Sequence, residues 1–155
     1  MSETTRIADQ LHRAFNGEAW HGPALLELLQ GVEAGTAAKR PPAGVHSIWE
    51  IVRHIQVWDG AAIRRMAGEV VEPTGDEDWP RVTDLSQNAW KKTTIDLVQT
   101  HDKLIRAVKA FPDSRLAERV PGKKPEFYNF YYMLHGIVQH ELYHAGQIAI
   151  LKKLG

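Results

Sequence analysis

Apolar residues recur along this chain at three- and four-residue spacings, and nowhere do they alternate over the length of a strand. The clearest run is Ile48, Ile51, Val52, Ile55, Trp58, Ala62 and Met66, one stripe of a helix with about 3.6 residues per turn. Ser47 precedes it as a good N-cap, and Glu50 stands three residues later, the spacing at which each side chain caps the other's backbone N–H. This helix is expected to end near Gly68. An earlier one is expected from about residue 4 to residue 32, interrupted over residues 16–23. Pro23 suits the first turn of the restarted segment, and the loop GTAAKRPPAGV follows. A third spans about residues 84–111, with Trp90, Leu97, Val98, Leu104, Ile105 and Val108 as its inner stripe and Pro112 behind it. The fourth spans about residues 126–154. Four such helices joined by short and medium loops read as an all-α four-helix bundle.

At 155 residues the chain has the size of one domain, residues 1–155, long enough to bury a core. Lysine plus arginine and aspartate plus glutamate both number 19, so no net field draws in a nucleic acid or an anionic membrane, and neither is expected as a partner. There is no cysteine. Any metal site must therefore use histidine, carboxylate and water, and the lack of thiols suits a reducing, cytoplasmic setting. No apolar run approaches the roughly 20 residues of a membrane span, and the N-terminus, MSETTRIADQ, lacks the apolar centre of a signal peptide.

The candidate chemistry lies in the histidines. His140 and His144, in QHELYHAGQI, stand four residues apart on a helix, which places both imidazoles on one face. With Gln147 they fall within about 60° of each other on a helical wheel of 100° per residue, on an arc shared with Met133, Ile137 and Leu151. His54 lies at the edge of its own apolar stripe. Polar groups facing a core unpartnered cost roughly 1–3 kcal/mol each. A divalent ion bound by His54, His140 and His144 would satisfy all three, and three protein ligands leave a position open for chemistry. Separate core histidines, each with an ordinary hydrogen bond, are the plainer alternative. HELYH also fits the zinc-peptidase pattern HExxH, with Glu141 as general base. Only 11 residues follow His144, however, and no strand is available to hold a peptide. Among the remaining histidines, His101 sits on the inner stripe of its helix as the single plausible extra ligand or supporting partner. The aromatic run KPEFYNFYYM reads as helix packing, and the five tryptophans as core and loop anchors.

Three segments, AFNGEAWHGPALLELLQG, HSIWEIVRHIQVWDG and GIVQHELYHAGQIAILKK, together with DWP and the helix of Trp90, resemble the DinB-like (YfiT-like) superfamily of four-helix-bundle metalloproteins over nearly the whole chain. The resemblance implies a divalent metal, zinc or nickel among others, on His54, His140 and His144, and often a homodimer. It also implies a small-molecule substrate. Some relatives are metal-dependent transferases or isomerases of low-molecular-weight thiols such as bacillithiol or mycothiol, and a hydrolase is the other enzymatic expectation. The non-enzymatic alternative is a metal-binding stress-response module. On this reading Gln147 would orient a bound water or substrate, Glu50 would accept the second N–H of His54, and Glu141 is a further supporting candidate beside the ligands. No residue is assigned as catalytic.

Overall fold

The computed structural model describes residues 1–41 and 44–154. Its helices are α1 (Glu3–Asn16), α2 (Leu25–Leu29), α3 (Ala34–Ala38), α4 (Ile48–Met66), α5 (Gln87–Ala110) and α6 (Phe130–Leu154), with a short 3₁₀ helix, Asp113–Arg115, after α5. No strand occurs among the described residues; Arg119 and Asn129 form an isolated antiparallel bridge. The long helices α1, α4, α5 and α6 form the bundle. α4 packs against α5 and α6, and α1 packs against the same two, so α1 and α4 lie across the diagonal.

The helix starts follow their caps. Ser47 Oγ accepts from the Glu50 N–H (3.2 Å), and Glu50 Oε2 accepts from the Ser47 N–H (2.9 Å), as the spacing requires. The third expected helix begins three residues later than periodicity suggests, because Ser86 caps it through the Ala89 N–H (3.2 Å), and Asp84 is spent accepting from the Ser86 N–H (2.9 Å). The fourth begins at Phe130 rather than near Glu126. Backbone bonds from Val120 N–H to Tyr128 and from Phe130 N–H to Glu118 hold the preceding segment extended, and Asn129 Oδ1 then accepts from the Tyr132 N–H (2.9 Å). The first expected helix proves to be two, with Pro23 ahead of α2 rather than inside its first turn. Part of the expected loop is α3, whose Ala34 and Ala37 are buried. Pro42 and Ala43 of that loop lie outside the described residues.

The core is divided along the bundle axis. One apolar cluster gathers Phe15, Trp49, Ile51, Ile55, Trp90, Leu97 and Ile148; the other gathers Ile7, Leu11, Met66, Leu104, Val108, Phe130 and Ile137. At the second end Asp113 ties the 3₁₀ turn to the start of α1. Its carboxylate accepts from the Thr4 N–H (3.0 Å), the Thr4 hydroxyl (2.8 Å) and the Glu3 N–H (2.8 Å), groups that a helix's first turn leaves unpaired. The Thr4 and Glu3 backbone bonds hold the Asp113 pKa below the ordinary carboxylate value. A depressed folded-state pKa stabilises above the unfolded-state value and loses that contribution as pH falls through the folded one. The urea midpoint of Asp113→Asn should thus lie below that of the parent at about pH 6, with the gap narrowing as the pH falls below the ordinary aspartate value of about 3.9; a gap independent of pH would remove the carboxylate from the account.

Candidate functional site

Packing of α4 on α6 brings His54 against His140 and His144. The Nε2 atom of His140 lies 3.0 Å from that of His54 and 3.0 Å from that of His144. Each ring thus offers one nitrogen to a common point. His54 and His144 are buried and His140 is partly so. His54 Nδ1 faces the Asp78 carbonyl (2.9 Å) and Asp78 Oδ1 (3.0 Å). His144 Nδ1 faces Gln147 Oε1 (2.7 Å). These acceptors place the ring proton on Nδ1 and leave the Nε2 lone pairs directed at His140. His140 Nδ1 is buried without a hydrogen-bond partner.

Burial works against charging any of the three rings. It is the main cause lowering the pKa values of His54 and His144, and with neighbouring His144 and His54 it pushes His140 down to about 3. A neutral His140 carries one ring proton, which on Nε2 serves only one of the two facing lone pairs at a time and leaves Nδ1 unpartnered, whereas a cation between the three Nε2 atoms would serve all three lone pairs. The separation also suits metal–nitrogen bonds of about 2.0–2.1 Å, for which neighbouring ligands stand roughly 2.9–3.4 Å apart. The donor set is compatible with a divalent metal.

The support around His54 differs from expectation. Glu50 does not reach that ring: its carboxylate pairs with Arg40 and caps Ser47, and these bonds lower its pKa against the opposing effect of burial, the largest single influence. The partner is Asp78, from the loop between α4 and α5. Trp79 stacks flat on His54 (centroids 3.8 Å apart, planes within 6°) and is covered on its other face by His46 (3.6 Å). Trp58 donates Nε1–H to Asp78 Oδ1 (2.7 Å). Of the tryptophans expected in core and loops, Trp49 and Trp90 are core, Trp58 and Trp79 wall the histidines, and Trp20 is fully exposed. The sequence signal for this support was the DWP tripeptide, which carries no periodicity. Gln147 bonds to His144, so it orients a ring.

Glu141 turns away from the three histidines, which removes the general base that a peptidase reading of HELYH needs. It is fully buried and stands with His101 and Asp59 in a separate cluster. His101 is therefore not a further member of the first site. Asp59 was missed, although its place on the stripe Val52, Ile55, Ala62, Met66 marked it as an acid facing the core. Burial first, then Asp59, pushes Glu141 up to about 8, and burial raises Asp59. Burial lowers His101, but the two carboxylates outweigh it and lift the ring to about 9.

The three histidines border a cavity of about 490 Å³ whose other walls include Trp58, Arg65, Tyr128, Tyr132 and Tyr143, within the usual range for small-molecule sites. Phe130 and Met133 of the aromatic run are core; Phe127, Tyr131 and Tyr132 are exposed. A larger cleft of about 670 Å³, between Arg53 and Arg64 on α4 and the following loop, borders none of the three histidines. No helix among the described residues is long and apolar enough to cross a membrane.

A family model described as the DinB superfamily matches residues 19–148. No curated protein and no solved structure gives a significant match.

Proposed function

The chain belongs to the DinB superfamily, and from that membership and the histidine geometry we propose that it is a divalent-metal enzyme. Its reaction would transfer a low-molecular-weight thiol, or water, to an electrophilic small molecule. The observation that supports this most is that His54, His140 and His144 border an open cavity rather than a sealed core. They would hold the ion, zinc or nickel by family resemblance, through Nε2. Bound by neutral ligands, such an ion keeps its full charge and supplies the Lewis acidity that brings a water or thiol to its nucleophilic form near neutral pH.

The chain's own groups divide the remaining work. Asp78 and Gln147 accept the Nδ1–H protons of His54 and His144, which fixes ring orientation and raises the basicity of Nε2. Trp58, Tyr128 and Tyr132 offer apolar faces to the electrophile and limit water around it. Arg65, only 1% exposed and anchored to the Val71 carbonyl (3.0 and 2.7 Å), brings a fixed positive charge to the cavity wall for an anionic substrate group. In transfer, a sulfur lone pair forms the new carbon–sulfur bond as the bond to the leaving group breaks with its electron pair, and the thiol proton passes to solvent. In hydrolysis a water oxygen takes the place of sulfur.

A panel of cellular thiols against a generic aromatic electrophile, with and without zinc or nickel, tests the reading. Turnover that needs metal and exceeds the His144→Ala background is expected. If no thiol is transferred and no ester or amide hydrolysed, the protein is a non-catalytic metal-binding module. Asp78→Ala should weaken metal binding at this centre about 10–100-fold, the usual effect of removing a partner that orients a ligand. Competition with a chelating dye measures it, and unchanged affinity would release Asp78 from that role.

A further inference from the structure

We propose that Asp59, His101 and Glu141 form a second divalent-cation site, sealed in the core, that braces α4, α5 and α6 against one another. It is independent of the three histidines at the cavity. The three side chains come from three helices, and each is 0% exposed. They occupy the break between the two apolar clusters: on α4 between Ile55 and Ala62, on α5 between Leu97 and Leu104, and on α6 between Ile137 and Ala145. Phe15 of α1 closes the layer by stacking on His101 (3.7 Å, planes within 3°).

The contacts are those of ligands arranged around a common centre. His101 Nδ1 lies 3.0 Å from Glu141 Oε1 and 3.4 Å from Asp59 Oδ2. Neither oxygen lines up with a ring N–H as a hydrogen bond requires, and none of the six side-chain nitrogen and oxygen atoms of the cluster has a hydrogen-bond partner. Buried polar atoms are nearly always paired, so six orphans in one sealed layer ask for a bound species. Atoms that coordinate a common ion point at that ion instead of at each other, and bonds of about 2.0–2.2 Å separate them by roughly 2.9–3.5 Å. Charge agrees. Two carboxylates neutralise a divalent ion and the imidazole stays neutral, whereas the metal-free cluster buries two carboxyl groups and an imidazole that make no hydrogen bond to one another. With one nitrogen donor, two carboxylates and no sulfur, the site suits a first-row ion such as zinc, manganese or iron(II). None of the described cavities is lined by these residues, which assigns the ion a structural part.

The test is zinc uptake by protein refolded from urea in the presence of zinc, since a sealed site fills most readily as the core closes. X-ray absorption then counts imidazoles per zinc. The full chain should bind a second equivalent, with the average falling from three imidazoles per zinc towards two as that equivalent enters. His144→Ala protein should keep one equivalent, ligated by one imidazole and oxygen, and adding the near-isosteric Asp59→Asn should remove it. Uptake that stops at one equivalent with three imidazoles, or one equivalent that survives Asp59→Asn in the His144→Ala protein, would overturn the site. A first equivalent with a single imidazole would support it while removing the ion from the cavity histidines. The wild-type measurement holds even if a variant fails to fold.

Discussion

Replacing His144 by Ala is expected to remove the ion at the cavity, whereas replacing His135 by Ala leaves it in place. The two residues share α6 and one side-chain chemistry, so the comparison isolates position. His144 presents Nε2 to His140 at 3.0 Å and is oriented by Gln147. His135 sits beside Tyr131 and 3.6 Å from Glu3, on the side of α6 that faces α1. Without His144 the ion would keep two protein nitrogens, and the loss of affinity should exceed the roughly 10–100-fold that follows removal of an orienting partner such as Gln147. Elemental analysis and chelator competition read the loss as one equivalent of nitrogen-ligated metal. Equal metal content in the parent and His144→Ala proteins, at equal affinity, would refute the assignment. Lowering the pH should empty the centre in the parent too, because protons compete for the same Nε2 lone pairs.

The largest effect on stability is expected from Trp49→Ala, a loss of about 3–5 kcal/mol. Trp49 is 2% exposed, packs edge-on to Trp90 (5.2 Å) and donates Nε1–H to Thr93 Oγ1 (3.0 Å). It therefore joins α4 to α5 through both apolar area and a hydrogen bond. Truncation removes the ring, opens a cavity that the surrounding helices fill only in part, and leaves the Thr93 hydroxyl without this partner. Trp20→Ala, at a fully exposed position, should stay within about 0.5 kcal/mol of the parent. Urea denaturation of both variants provides the contrast; similar midpoints for the two would show that Trp49 does not hold the core.

The local order of this protein was present in its sequence. A helix needs only its own 3.6-residue period and its caps, so the bodies of α1, α4, α5 and α6, the Ser47 cap and the common face of His140 and His144 all follow from neighbouring residues. The short helix α3 did not, because five residues present less than two turns of period and its stability comes from burying Ala34 and Ala37.

Tertiary structure alone decided how those faces meet. Periodicity ranks positions around one helix but leaves its rotation against the core open. On α6 three polar residues compete for the inside, and packing on α4 and α1 placed Glu141 at the centre of the buried face, with His140 and His144 at its edge. Only that rotation separates the cluster at the cavity from the cluster in the core. Equally, the loop after α4 has no repeating pattern. Its return over the bundle sets Asp78 and Trp79 on His54 in place of Glu50, which the sequence had put one helical turn away. A spacing along one helix is enforced by covalent geometry, while a contact between distant segments exists only once the chain between them has closed and their surfaces have packed.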